Sequence, residues 1–310
     1  MRHYSRHPGT NMSRRLFLAG SVMAGCLGAS VLVSADASPS RQVSDAASGD
    51  GPPGPGPTGA GPAALVPAAE AVPGKDAIVA EFEGEKPTQW GLQVSGTASR
   101  LPAGSAGTLL SFDCCGGPGG NQVDQDLIDL LTRTGTPAIF FLNARRVQAN
   151  PKTARDLAGN PLFEIGNHGT RHVPLSVTGR SAYGIRGTAS PAEVYDEVMA
   201  SQDSLHSLTG KTARFFRPGT AYLDDTAAAI VRRLGLVPVS FSINGDGGAT
   251  YTSGTVLREV TKAKAADIII AHANHPGGGT APGMAAALPA LQSSGRAPVK
   301  IEDTTAAAWS

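Results

Sequence analysis

The chain reads as a distorted parallel (β/α)7-type barrel, closed or nearly closed, with an open doubly wound sheet as its structural competitor. Two observations carry that reading. Short apolar, β-prone runs recur at residues 108–112, 138–142, 162–165, 214–216, 237–243, 268–271 and 299–301. Helix-like segments alternate with them, which is the pattern of a parallel sheet whose crossovers are helices. A third observation says where such a fold would do chemistry. Asp113 follows the first run, His168 and His172 follow the third, and His272 follows the sixth. The carboxyl ends of parallel strands share one face, so these side chains are expected at one rim.

The helices can be justified in turn. Segment 124–134 sets Leu127, Ile128, Leu130 and Leu131 near a helical period. Ser190-Pro191 offers an N-cap and a first-turn proline for a helix running to about residue 208. Segments 224–234 and 253–265 follow the same form, and Gly235 is a plausible stop for the former.

The N-terminal quarter is not expected to be fold. Residues 1–37 read as a twin-arginine export signal: Ser13-Arg14-Arg15-Leu16-Phe17-Leu18 precedes an apolar stretch rich in small residues, and Ala35-Asp36-Ala37 offers a cleavage site. This favours a cleaved signal over a transmembrane span. Met23-Ala24-Gly25-Cys26 is a degenerate lipoprotein box, so a lipid anchor at Cys26 is the competing route. Residues 38–75, rich in Pro, Gly, Ala and Ser, bury too little apolar surface to offset chain entropy and read as a disordered tether. A lead-in segment, 76–106, comes before the main folded domain at 107–310. Extracellular or cell-envelope localisation follows from this reading. Net charge is +1, so no basic face points to nucleic acid. Outside the signal the only cysteines are Cys114 and Cys115, which are adjacent and cannot form a disulfide framework.

His168 and His172 are four residues apart, so one helical turn or a coiled loop brings both imidazoles to one side. Paired neutral imidazoles suit a borderline-soft divalent ion such as zinc. Asp113 stands before a Cys-Cys-Gly-Gly-Pro-Gly-Gly loop, where a carboxylate can ligate metal, take a proton from water, or simply cap a turn.

Asp113, the His168-x-x-x-His172 pair, Arg217-Pro218 and His272, in that order, resemble the polysaccharide deacetylases, the NodB-like carbohydrate esterase group. The resemblance spans about residues 108–301. It implies metal-dependent hydrolysis of an acetamide on a glycan, with Asp113 as general base, His272 as general acid, His168 and His172 as metal ligands, and Arg217 orienting the base. An acetylated carbohydrate, such as a cell-envelope glycan, is the implied substrate.

The chain departs from the family pattern in three places. Where the family's first motif reads Thr-Phe-Asp-Asp, Cys114 replaces the second, metal-binding Asp. Its thiolate can complete a Cys-His-His set, or it can be a buried bystander; Cys115, at a glycine position, is expected only to pack. In place of Arg-Pro-Pro-Tyr the chain has Arg217-Pro218-Gly219-Thr220-Ala221-Tyr222, leaving Thr220 or Tyr222 to supply the oxyanion-holding N–H. The Asp-Trp pair that tunes the acid histidine is absent. Asp246 is the candidate to orient His272, to complete the metal shell, or to shape a turn. O-acetyl esterase, small-molecule amidohydrolase and inactive glycan-binding domain stand as alternatives. With tryptophan only at 90 and 309, no long aromatic sugar platform is expected.

Overall fold

The computed structural model describes residues 71–301 and Trp309. The expected export signal, the lipidation site at Cys26 and nearly all of the tether lie outside the described residues. In chain order the elements are α1 (Lys75–Phe82), β1 (Trp90–Gly91), β2 (Leu109–Cys114), α2 (Gln125–Arg133), β3 (Ala138–Leu142), α3 (Ala144–Ala149), α4 (Pro151–Gly159) and β4 (Phe163–Asn167). There follow β5 (Ser181–Ala182), β6 (Ile185–Arg186), α5 (Pro191–Thr209), β7 (Phe215–Phe216), β8 (Leu223–Asp224), α6 (Asp225–Arg233) and β9 (Val237–Pro238). The last are β10 (Ile243–Asn244), α7 (Ser253–Val260), β11 (Ile268–His272) and α8 (Thr280–Ser293). Among the described residues no helix is long and apolar enough to cross a membrane.

Seven strands form one parallel sheet in the order β10-β11-β2-β3-β4-β7-β9. Its two edge strands, β9 and β10, are consecutive in the chain and separated only by residues 239–242. A flat sheet would hold its edges six strand spacings apart, about 29 Å. The link from Pro238 to Ile243 can span at most about 18 Å. The sheet therefore curls until its edges nearly meet, without pairing: a distorted (β/α)7 barrel left open on one side.

The strand inventory differs from the sequence expectation at two points. The single run 237–243 becomes both edges, because the chain turns between them: the Val239 and Ser240 carbonyls are drawn inward by Arg217, and Ser242 Oγ donates to Asp267 across 2.8 Å. The run 299–301 is no strand. Just before it Pro298 makes a single bridge to Thr108, Val299 N–H donates to the Thr108 carbonyl at 2.8 Å, and Pro298 has no N–H to extend a ladder. Helix starts follow the caps more closely. Asp124, Ser190 and Asp224 accept from Leu127, Glu193 and Ala227 N–H groups respectively. The segment 253–265 is helical only to Val260, and α3, α4 and α8 are elements the sequence reading passed over.

Core packing follows the two faces of the curled sheet. Leu110, Phe112 and Cys114 of β2 face outward into a cluster with α2, α7 and α8, while Leu109, Ile139, Phe141, Phe215 and Ile268 fill the barrel interior. Ile78 of α1 joins the cluster between α5 and α6, so the lead-in segment packs as part of the fold. Each fully buried Leu, Ile or Phe contributes about 1.5–3 kcal/mol of transfer free energy. This layer leaves the rim above it for polar groups.

Candidate active site

Strand alternation decides which side chains reach the rim. On β2, Ser111 and Asp113 point inward with Leu109, and both meet Arg217. The Arg217 guanidinium is completely buried. It donates to Asp113 Oδ1 at 2.7 Å, Ser111 Oγ at 2.9 Å, and the Ser240 and Val239 carbonyls at 3.0 and 3.2 Å. Its plane lies 4.3 Å from the Phe141 ring centroid. Burial pushes the Asp113 carboxyl up, but the charges of Arg217, His168 and His272 outweigh it, and the net shift is below the ordinary carboxylate value. Asp113 is thus held ionised in the floor of the site.

The loop after β4 carries the imidazole pair and is wired by buried polar groups. Asn143 donates to the His168 and Gly169 carbonyls at 3.0 and 2.7 Å, and Asn167 Oδ1 accepts from Gly169 N–H at 2.9 Å. Glu197 of α5, almost fully buried, accepts the backbone N–H groups of Arg171 and His172 at 2.9 and 3.1 Å, and the Arg171 side chain at 3.2 Å. Gly169 is needed for this approach: its φ is +74°, and a Cβ would sit 2.5 Å from Glu197 Oε1. His172 itself is left-handed at φ 61°, a costly conformation for a residue with a Cβ, which the Glu197 contacts hold in place.

The same wiring fixes the ring nitrogens. His168 Nδ1 lies 2.9 Å from the Arg217 carbonyl and so donates there, which leaves Nε2 as a lone-pair donor for a ligand. That Nε2 is 3.7 Å from Cys115 Sγ and 3.7 Å from Asp113 Oδ2. His172 Nε2 is buried with no hydrogen-bond partner, which is costly unless something binds it. One donor atom each from Cys115, His168 and His172 lies within 4.8 Å of the others. An orphaned imidazole nitrogen beside a second imidazole nitrogen and a sulfur is a set of donors that fits a divalent ion.

His272 ends β11 directly opposite Asp113 in the sheet register. Asp246, after β10, accepts His272 N–H at 2.7 Å and meets its Nδ1 at 2.9 Å, with Thr280 Oγ1 donating at 3.0 Å. With Nδ1 committed, Nε2 is the nitrogen that faces the site. Burial would lower the His272 pKa, but Asp246 and Cys115 outweigh burial and raise it well above the ordinary imidazole value. Asp246 is correspondingly lowered, burial being overcome by its bonds to His272.

The structure places the two cysteines the other way round from the sequence expectation. Cys114 is fully buried in the outward-facing cluster, burial pushes its thiol up to about 12, and it is not among the clustered donor atoms. Cys115, expected only to pack, is the thiol beside the imidazoles. The period of two along β2 is the reason: Asp113 faces inward, Cys114 must face outward, and Cys115 returns to the site. Burial, the largest single influence, would raise the Cys115 thiol, but His168, His172 and His272 together draw it well below its ordinary value.

The remaining candidates divide. Thr220 lines the cavity wall beside Gly219, whose absent side chain lets the backbone pass His172: a Cβ there would sit 2.4 Å from His172 Cα. Tyr222 is not in that wall. Its N–H turns to Thr220 Oγ1 at 3.4 Å, and its ring packs 5.8 Å from Trp90 and 5.4 Å from Tyr183. Asp246 bonds His272 and is not one of the three clustered donors. Sequence reading missed Glu197, although a signal existed: Val194, Glu197, Val198, Ser201 and Leu205 share one buried helical face, with a carboxylate among them. The groups surround a cavity of about 460 Å³ that Asp113, Cys115, His172 and His272 all line.

Residues 103–239 match the family model described as polysaccharide deacetylase. A chitooligosaccharide deacetylase of Bradyrhizobium sp. (strain ANU 289) is 25% identical over 178 residues, covering 57% of this chain and 74% of that protein. Among solved structures, a CE4 family pseudoenzyme from Bacillus anthracis matches with a TM-score of 0.57 and 18% identity, over 67% of this chain and 68% of that one. A family 4 carbohydrate esterase from Bacillus subtilis gives 0.54 and 18%, over 74% and 87%. The two structures share the fold. Since that fold carries both an esterase and a pseudoenzyme, activity has to be argued from the site.

Proposed function

Because this domain belongs to the polysaccharide deacetylase family, we propose that it removes acetyl groups from an N-acetylated glycan by amide hydrolysis, releasing acetate and a free amine. A divalent ion, zinc by the softness of the donors, would be held by Cys115, His168 and His172. The observation that carries the reading is the joint placement of those donors, the Asp113–Arg217 pair and the His272–Asp246 pair around one cavity.

A bound zinc-type ion supplies a Lewis acid for the acetyl carbonyl, which amide chemistry needs because the carbonyl is a poor electrophile. The chain's own residues do the rest. Asp113 takes a proton from the attacking water through Oδ2, while Oδ1 stays on Arg217. The Arg217 bond lowers the basicity of Asp113 but keeps it unprotonated and aimed. His272, held charged by Asp246, gives its Nε2 proton to the departing nitrogen; without that transfer the intermediate collapses back to substrate. The Thr220 backbone N–H would stabilise the developing oxyanion, a role supported by Thr220 lining the cavity wall. A pure binding module would need neither the carboxylate nor the charged imidazole. Export by the twin-arginine route would bring this chemistry to a cell-envelope glycan.

The test is acetate release from N-acetylated chitooligosaccharides and from O-acetylated xylan, with metal content measured on the same preparation. Acetate from the amide substrates, lost on chelation and restored by zinc, is the expected result. Release only from the ester substrate would make the protein an O-acetyl esterase. Glycan binding with no release from either would make it a binding domain, and both outcomes refute the proposal.

A further inference from the structure

The mouth of the cavity is formed by a hairpin that the groups in its floor do not require. β5 and β6 pair antiparallel with Ala182 opposite Ile185, so Tyr183 and Gly184 are the two turn residues. Both are left-handed, at φ 52° and 74°. This is the turn geometry that suits the twist of a two-residue hairpin, and its first position is usually Asn, Asp or Gly because a larger side chain is crowded there. A tyrosine in that place bears backbone strain, and strain of this kind gathers where a side chain has work to do.

The side chain is also displayed. Tyr183 is 74% exposed and Ile185 38%; the only other large exposed hydrophobic among the described residues is Val72. Tyr183 and Ile185 line the same cavity as Asp113, Cys115, His172 and His272. Asp113 is almost wholly buried, so the cavity runs from a reactive floor to an aromatic lip. The lip has backing. Tyr183 meets Tyr222 edge-on at 5.4 Å and 86°, Tyr222 meets Trp90 at 5.8 Å, and the Arg180 guanidinium lies 5.2 Å from the Trp90 ring centroid. Pairing of β1 with β8 sets Trp90 beside this row. The hairpin base is closed by Gly187 N–H to the Arg180 carbonyl at 3.0 Å and Gly179 N–H to the Thr188 carbonyl at 3.1 Å.

Resting on the deacetylase reading, we propose that Tyr183 is a specificity-determining residue that stacks on the pyranose ring next to the one being deacetylated. The protein then prefers oligomeric N-acetylated glycans to single acetamido sugars. The electron-rich face of a phenol ring attracts the C–H bonds that a pyranose presents on its face, and the tyrosine hydroxyl can meet a sugar hydroxyl at the ring's rim. Ser181, Ala182, Gly184 and Ile185 bring no charge to the tip, as suits a neutral glycan. Two exposed side chains make far too small a patch for a protein partner. Tyr222 backs Tyr183 and Trp90 backs Tyr222, so these three aromatics form a compact row at one lip in place of a long platform.

The experiment compares wild type, Tyr183→Asn and Tyr183→Phe on chitooligosaccharides of one to five sugars, reading acetate release and, separately, binding by tryptophan fluorescence. Asn keeps the turn and removes the ring; Phe keeps the ring. Tyr183→Asn should raise KM and Kd for the longer oligomers by about tenfold, leave the single sugar unchanged, and leave kcat unchanged, with Phe within about twofold of wild type. Equal losses on one sugar and on five, or no loss on either, overturn the lip assignment while acetate release by wild type keeps the deacetylase reading. Length-dependent binding that Asn abolishes, without acetate release, would support the lip and refute the reaction. Wild type that neither binds nor deacetylates any oligomer overturns both.

Discussion

Cys115→Ala and Cys114→Ala differ by one position and should have opposite consequences. Cys115 Sγ is one of the three donor atoms that lie within 4.8 Å of one another, and it is the one sulfur among them. Zinc bound by four protein ligands is worth about 10–16 kcal/mol at neutral pH, or about 3 kcal/mol per ligand if shared evenly. Removing Sγ should therefore weaken zinc binding by about a hundredfold or more. Cys114→Ala removes a sulfur from the outward-facing core cluster and should cost about 1 kcal/mol of stability with metal affinity unchanged. The assay is zinc competition against a chromophoric chelator, with thermal unfolding in parallel. Cobalt-loaded wild type should show a thiolate-to-metal charge-transfer band that Cys115→Ala loses and Cys114→Ala keeps. Cys115→Asp should restore much of the affinity while removing the band. If instead Cys114→Ala loses the metal and the band, the strand-face argument is wrong.

Four further outcomes follow from the wiring around those donors. Breaking the buried pair by Arg217→Ala should cost about 3–5 kcal/mol of stability, read by denaturant unfolding. Arg217→Lys, which keeps the charge but not the fork, should let the Asp113 pKa rise, so the acid limb of the pH–rate profile moves to higher pH; an unmoved limb would take Asp113 out of the base role. Asp246→Asn keeps an oxygen for His272 Nδ1 but removes the charge that raises the His272 pKa. The acid form is then lost at lower pH, and the alkaline limb of kcat/KM should shift down, with no shift counting against a general acid. Glu197→Gln sets an amide N–H₂ against N–H groups of the His168–His172 loop. It should cost about 1–3 kcal/mol and weaken metal binding by about 10–100-fold; unchanged affinity in chelator competition would make Glu197 a packing residue only.

Much of this protein is local physics and so was legible in the chain. Alternating apolar runs and capped helices gave the barrel, because strand period, helix period and caps are properties of neighbouring residues. Asp124, Ser190 and Asp224 cap their helices where their sequence positions place them. The strand-end positions of Asp113, His168 and His272 brought these residues to one cavity region, since parallel strands share a carboxyl end. What the sequence could not decide was anything fixed by curvature, facing or distant pairing. Residues 237–243 look like one strand and serve as two opposite edges, which only the curl of the sheet permits. Cys114 and Cys115 are chemically identical in sequence, and a strand period of two buries one and presents the other. Glu197 lies 25 residues from His172 and bonds it only because α5 packs against that loop. Trp90, Tyr183 and Tyr222 are scattered through the chain and meet because β1 pairs with β8 and the hairpin folds over them. Local sequence sets which elements form; the long-range packing of those elements sets which atoms touch, and the chemistry depends on the atoms.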